Sequence, residues 1–188
     1  GNGSLLTTEK CLLNTNRNAS FSKEEIEQGL KEVLGVQQVH WLAHGYLAGD
    51  DTDAHIDTLA RFSPKGIVYV STDDQTHSSY DELMKMEHEL KQLTDTNGHS
   101  YQLFALPSPK AIYNQEGDQL PATYANYLII NGAVLVPTYN DEADQSALDI
   151  IGQAHPEREI IGVDCRTVIE QFGSLHCLTM QLPAGLIK

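Results

Sequence analysis

One supersecondary pattern runs three times along the chain, and this repetition restricts the fold more than any other feature. In each copy two short apolar runs around a turn precede an amphipathic helix, and a third apolar run follows it. In the first copy, residues 4–7 and 11–13 read as strands bent around Thr8, Glu9 and Lys10. Ser22 with Glu25 three residues later has capping-box spacing, and Ile26, Leu30, Val33 and Leu34 give the next helix an apolar face. Gly35 closes that helix, and 36–42 reads as a strand. In the second copy, strands at 59–62 and 67–70 flank a Pro64-Lys65-Gly66 turn. A helix over 79–94 and a strand at 101–106 complete it. In the third, 127–130 and 133–136 flank Asn131-Gly132, a two-residue hairpin signal, before a helix over 141–154 and a strand at 159–164. A further strand is expected at 176–182.

This pattern predicts an α/β architecture assembled by repetition as one domain. The units run roughly over 1–46, 58–107 and 126–164, with 174–188 belonging to a further one. Exposed edge strands are a liability, so the open ends of the array predict more units upstream. With 26 acidic against 12 basic residues and a net charge of -14, nucleic acid and anionic membrane surfaces are disfavoured as partners. A cationic small molecule suits that charge. Cys11, Cys165 and Cys177 are too few for a disulfide framework, which predicts reduced thiols and a cytoplasmic location. No apolar run approaches the ~18 residues of a membrane span.

The candidate chemistry lies in the polar loops. Residues 50–57 gather Asp50, Asp51, Asp53, Asp57 and His55. Closely spaced Asp oxygens suit a hard cation, but the EF-hand pattern fails here: Gly is missing at its sixth place and Glu at its twelfth. A solvated acidic turn is the plainer reading. The sharper feature is His55-x-Asp57 entering a strand, where residues two apart share a face. A carboxylate beside an imidazole favours its protonated form and holds its ring, as general acid–base work requires. Cys177, in the turn Gly173-Ser174-Leu175-His176-Cys177, is placed as an exposed nucleophile; His176 would point away from it on a strand. Cys11 and Cys165 read as buried, inert thiols. His40, His44, His77, His88, His99 and His155 read as surface or loop residues, and 14–18 as a polar loop. No zinc spacing, phosphate loop or serine elbow is present.

Four blocks carry a family resemblance: 1–18, which includes Thr15-Asn16-Arg17-Asn18; 47–57; 124–137, opening Tyr124-Ala125-Asn126-Tyr127; and 173–179. Together they resemble the agmatine deiminases, which are grouped with Porphyromonas-type peptidylarginine deiminase. The resemblance implies the pentein fold, five ββαβ units around a pseudo-fivefold axis, of which about three and a fraction would be present here. It implies Cys177 as nucleophile, His55 as general acid–base and Asp57 as a guanidinium-binding carboxylate, with Asn126 and Asp51 near the substrate. It also implies a cationic guanidino substrate, agmatine or peptidyl-arginine, and no metal or organic cofactor. The family's second guanidinium-binding Asp belongs to a Trp-x-Arg-Asp segment upstream of Gly1. The N-terminal half of the same enzyme is therefore an expected partner, and a homodimer a possible one. Without that Asp, the isolated chain should be a poor enzyme or a non-catalytic binding domain. The family also has Gly where Ala54, Gln171 and Phe172 stand.

Overall fold

The computed structural model describes residues 3–182 and 185–186. Three small open sheets follow one another along the chain. In the second, β3 (Ala60–Phe62) pairs antiparallel with β4 (Gly66–Val70), which pairs in parallel with β5 (Gln102–Leu106). The crossover from β4 to β5 is helix α4 (Tyr80–Leu90). The third sheet repeats that order, with β6 (Leu128–Ile129) antiparallel to β7 (Ala133–Thr138) and β7 parallel to β8 (Glu159–Asp164) across helix α5 (Asp144–Ala154). In the first sheet β1 (Ser4–Thr8) pairs in parallel with β2 (Gln38–Leu42). Between them run α1 (Glu9–Leu12), α2 (Thr15–Asn18) and α3 (Lys23–Leu34).

Packing follows the pattern of apolar residues. Every residue of β4 is buried, as a central strand covered on both faces requires. The β-branched residues Ile67, Val68 and Val70 share one core with Leu83, Met86 and Leu90 of α4, and the equivalent Val134 and Val136 belong to the same core with Ala147 and Ile151 of α5. Gly66 is required where β4 begins. A Cβ there would stand 2.0 Å from the Gln102 carbonyl oxygen, so only glycine permits the close approach to β5.

The structure corrects the sequence expectations in four places. Residues 11–13 form no strand, because the Thr8 hydroxyl accepts a hydrogen bond from the Cys11 N–H at 3.2 Å and caps α1 instead. The polar stretch at 14–18 likewise contains a helical turn, with Asn14 as its cap. Helix α3 has the predicted capping box and closes at Gly35 in the left-handed region, yet buries no residue; Val33 is 84% exposed and Leu34 54%. Residues 176–182 form no strand. His176–Leu178 is a 3-10 turn, with extended backbone at Thr179. Of the expected fourth unit, residues 183, 184, 187 and 188 lie outside the described residues, as do Gly1 and Asn2 of the first. Among the described residues no helix is long and apolar enough to cross a membrane.

Candidate active site

The loop from β2 to β3 is organised by its own carboxylates. Asp50 Oδ1 accepts from the Thr52 N–H at 3.0 Å and from the Thr52 hydroxyl, and Asp50 Oδ2 accepts from the Ala54 N–H at 2.9 Å. Asp53 and Ala54 both take left-handed backbone conformations, φ 64° and 55°. The turn is held from below by the Thr8 hydroxyl, which donates to the Ala54 carbonyl at 2.8 Å, and from the side by Asn14 Nδ2, which donates to Asp53 Oδ2 at 3.0 Å. Two of the acidic residues thus serve as internal braces. Asp51 is exposed and makes none of the hydrogen bonds that build the cleft.

The chain then enters a 3-10 turn, Ile56–Thr58, with His55 at its N-cap. His55 and Asp57 therefore do not share a strand face, as the period-2 argument expected. Asp57 points into a cleft where Oδ2 accepts from His176 Nδ1 at 2.7 Å and from Asn126 Nδ2 at 3.0 Å, with Cys177 Sγ 3.9 Å away. Burial pushes the Asp57 carboxyl up, but the His176 hydrogen bond and the charges of His176, Arg61 and His55 outweigh it and leave it below the usual range. The group is held as an anion.

Asn126 is wholly buried and joins the two halves of the cleft. Its Nδ2 donates to Asp57, while its Oδ1 accepts from the His176 N–H at 2.8 Å and the Cys177 N–H at 3.3 Å. The Cys177 thiol lies 3.5 Å from the same Oδ1. Both ends of the amide are committed to protein groups, which is why residues 176–178 curl into a turn instead of running on as a strand. Removal from water and the Asp57 charge push the Cys177 thiol up, against the lowering effects of the Ser174 backbone and Asn126. Ser174 is buried beneath the turn against the Tyr139 hydroxyl at 3.0 Å.

His55 faces a different neighbour. Its Nε2 lies 2.9 Å from the Arg17 guanidinium. An arginine can only donate, so Nε2 is the acceptor in this contact. Cys11, at half depth on α1, has its thiol pushed up chiefly by burial; Cys165 is buried in the core. His155, expected at the surface, is buried instead, with its Nε2 3.3 Å from the Tyr127 hydroxyl.

The sequence reading missed two contributors. Strand parity would turn His176 away from Cys177; in the 3-10 turn that forms instead, that parity does not apply. Arg61, on β3, lies over the Tyr127 ring at 4.7 Å and donates to the Tyr127 carbonyl. The signal for it was its position, four residues after Asp57 in a strand otherwise apolar.

A thiol, a carboxylate and an imidazole brought together from distant parts of the chain, with a second imidazole two residues before the carboxylate, can add sulfur to an electrophilic carbon and move protons around it. The model of the Porphyromonas-type peptidyl-arginine deiminases matches residues 1–183. The chain belongs to this family. Agmatine deiminase of Medicago truncatula is 35% identical over 98% of this chain and 54% of its own length. A crystal structure from Porphyromonas gingivalis, 54% identical, superposes with a TM-score of 0.95 over 100% of this chain and 56% of that one. A C. jejuni agmatine deiminase with a cysteine-to-serine substitution and substrate bound is 44% identical, with a TM-score of 0.86 over 94% of this chain and 51% of that one. The chain thus spans about half the length of the curated relatives it matches. Ala54 and Phe172, where the resemblance implies glycine, have φ 55° and 62° here, the left-handed region that glycine enters without strain.

Proposed function

We propose that the chain carries the nucleophile, the acid–base histidine and one guanidinium-binding carboxylate of a hydrolase that converts agmatine to N-carbamoylputrescine and ammonia. The observation that carries this reading is the meeting of the Cys177 thiol, 3.9 Å from Asp57 Oδ2, with a carboxylate kept ionised by its surroundings. A guanidinium is planar and cationic, and a carboxylate holds it with forked, charge-assisted hydrogen bonds. Asp57 would hold one edge. The other edge falls to a carboxylate upstream of Gly1, in the remaining units of a five-unit pentein. Agmatine is preferred to peptidyl-arginine as substrate because agmatine deiminases recur among the relatives.

The reaction balances as follows. The Cys177 thiolate adds to the guanidinium carbon, and protonated His55 gives its proton to the departing amino group, which leaves as ammonia. A covalent thiouronium remains. Neutral His55 then takes a proton from water, whose oxygen bonds to the same carbon; the C–S bond breaks, the thiolate returns, and the released proton converts ammonia to ammonium. His176 orients and shields Asp57, and Asn126 acts as a positioning residue more than a substrate ligand. The product, a ureido amine, lies on a route to putrescine.

The test is ureido formation from agmatine and, in parallel, from an arginine-containing peptide, in the full-length protein and its Cys177→Ala variant. Turnover of agmatine alone, lost in the variant, is the expected result. Turnover of neither substrate, or turnover that survives Cys177→Ala, would overturn the reading.

A further inference from the structure

Arg61 is the charged group of the cleft that the proposed reaction leaves without a task. It stands on β3, directly after the turn that carries Asp57, and is partly buried. None of the ion pairs among the described residues includes it. Its guanidinium instead donates to the carbonyl of Tyr127 and stacks on that residue's ring at 4.7 Å. Tyr127 is fully buried and follows Asn126, whose amide holds both Asp57 and the Cys177 turn. A buried cation is costly unless anions face it. The Asp57 carboxylate and, once ionised, the Cys177 sulfur interact electrostatically with it, and Asn126, next to the Tyr127 that it clamps, has its Oδ1 3.5 Å from that sulfur.

We infer that Arg61 is a positioning residue that supplies the positive charge stabilising the Cys177 thiolate while its clamp on Tyr127 fixes Asn126 beneath the nucleophile. This rests on the reading of Cys177 as nucleophile, and it gives the cleft a resident cation to set against Asp57, whose charge opposes ionisation of the thiol. A nearby arginine favours a thiolate by simple charge attraction. Lysine would keep the charge but lose the planar fork and the stacking, so the conservative change separates the two contributions.

The experiment follows alkylation of Cys177 by iodoacetamide from pH 6 to 10, in the wild-type protein and in Arg61→Met and Arg61→Lys, with peptide mass spectrometry distinguishing Cys177 from Cys11 and Cys165. In Arg61→Met the profile should move to higher pH, slowing alkylation at neutral pH by roughly threefold to tenfold. Arg61→Lys should fall between that and wild type. An unchanged profile in Arg61→Met overturns the inference, as does a lysine variant no better than the methionine one, which would make the role purely structural. Should Arg61→Met fail to fold, Arg61→Gln, which keeps an N–H for the Tyr127 carbonyl, takes its place. Alkylation needs no substrate: a shifted profile without agmatine turnover would retire the substrate assignment and leave Arg61 in place, and turnover with an unshifted profile would do the reverse.

Discussion

Asn126 shows how much of a reactive site rests on a residue with no chemistry of its own. Its side-chain oxygen accepts from two successive backbone N–H groups, and its nitrogen satisfies a carboxylate arriving from the other side. Replacing it with Ala would leave those buried groups without partners, at about 1–3 kcal/mol each for the ones that water cannot reach. The Asn126→Ala protein is expected to melt at lower temperature and to lose most of its turnover, with kcat falling more than KM rises; unchanged kcat would remove it from the positioning role. At this scale the sequence was legible where chemistry depends on residue type. Cys177, His55 and Asp57 were selected by type and setting, and the structure brings Asp57 and Cys177 into one cleft. The direction of His176 is not legible, because it follows from secondary structure and the 176–178 turn is held by buried Asn126. No local signal in the sequence announces a cap from 50 residues away.

Among elements, the ββαβ order of the second and third units is readable in the sequence, and the first unit, which forms a two-stranded sheet, is not. The capping box of α3, the hairpin at Asn131-Gly132 and the parallel crossovers all follow from local rules. The stretch after β1 became helix because Thr8 found the Cys11 N–H, a choice that strand-like Cys11, Leu12 and Leu13 concealed. The end of α5 carries a different consequence. His155 closes that helix inside the core, edge-on to Tyr127, with Nδ1 buried and unbonded. Burial, then the charges of Arg158 and Arg61, lower its pKa from 6.5 to about 4. A base depressed in the folded state takes up its proton in the unfolded chain first, so its neutral form costs nothing above pH 6.5 and stability is lost as the pH falls from there towards 4. The loss comes to about 3 kcal/mol over that interval. Thermal melts across it should steepen in wild type and flatten in His155→Phe, which keeps the edge-on ring contact. Equal slopes in both proteins would refute the assignment.

For the whole molecule, the arrangement points outward. Three open sheets and an amphipathic helix with Val33 and Leu34 uncovered stand in a chain that spans about half of its relatives. Under the proposed function, the other edge of the guanidinium site would be closed by a carboxylate outside this chain. The acidic surface fits a cationic substrate for the same long-range reason at every scale. The central claim is covalent: the sulfur of Cys177, and neither of the other two, bonds to the guanidinium carbon. Rapid acid quenching of the full-length protein during agmatine turnover, followed by peptide mass spectrometry, reads this directly. A thiouronium adduct on the Cys177 peptide, absent from Cys177→Ala, is the predicted result. Turnover with no adduct at Cys177, or an adduct on Cys11 or Cys165, would contradict it.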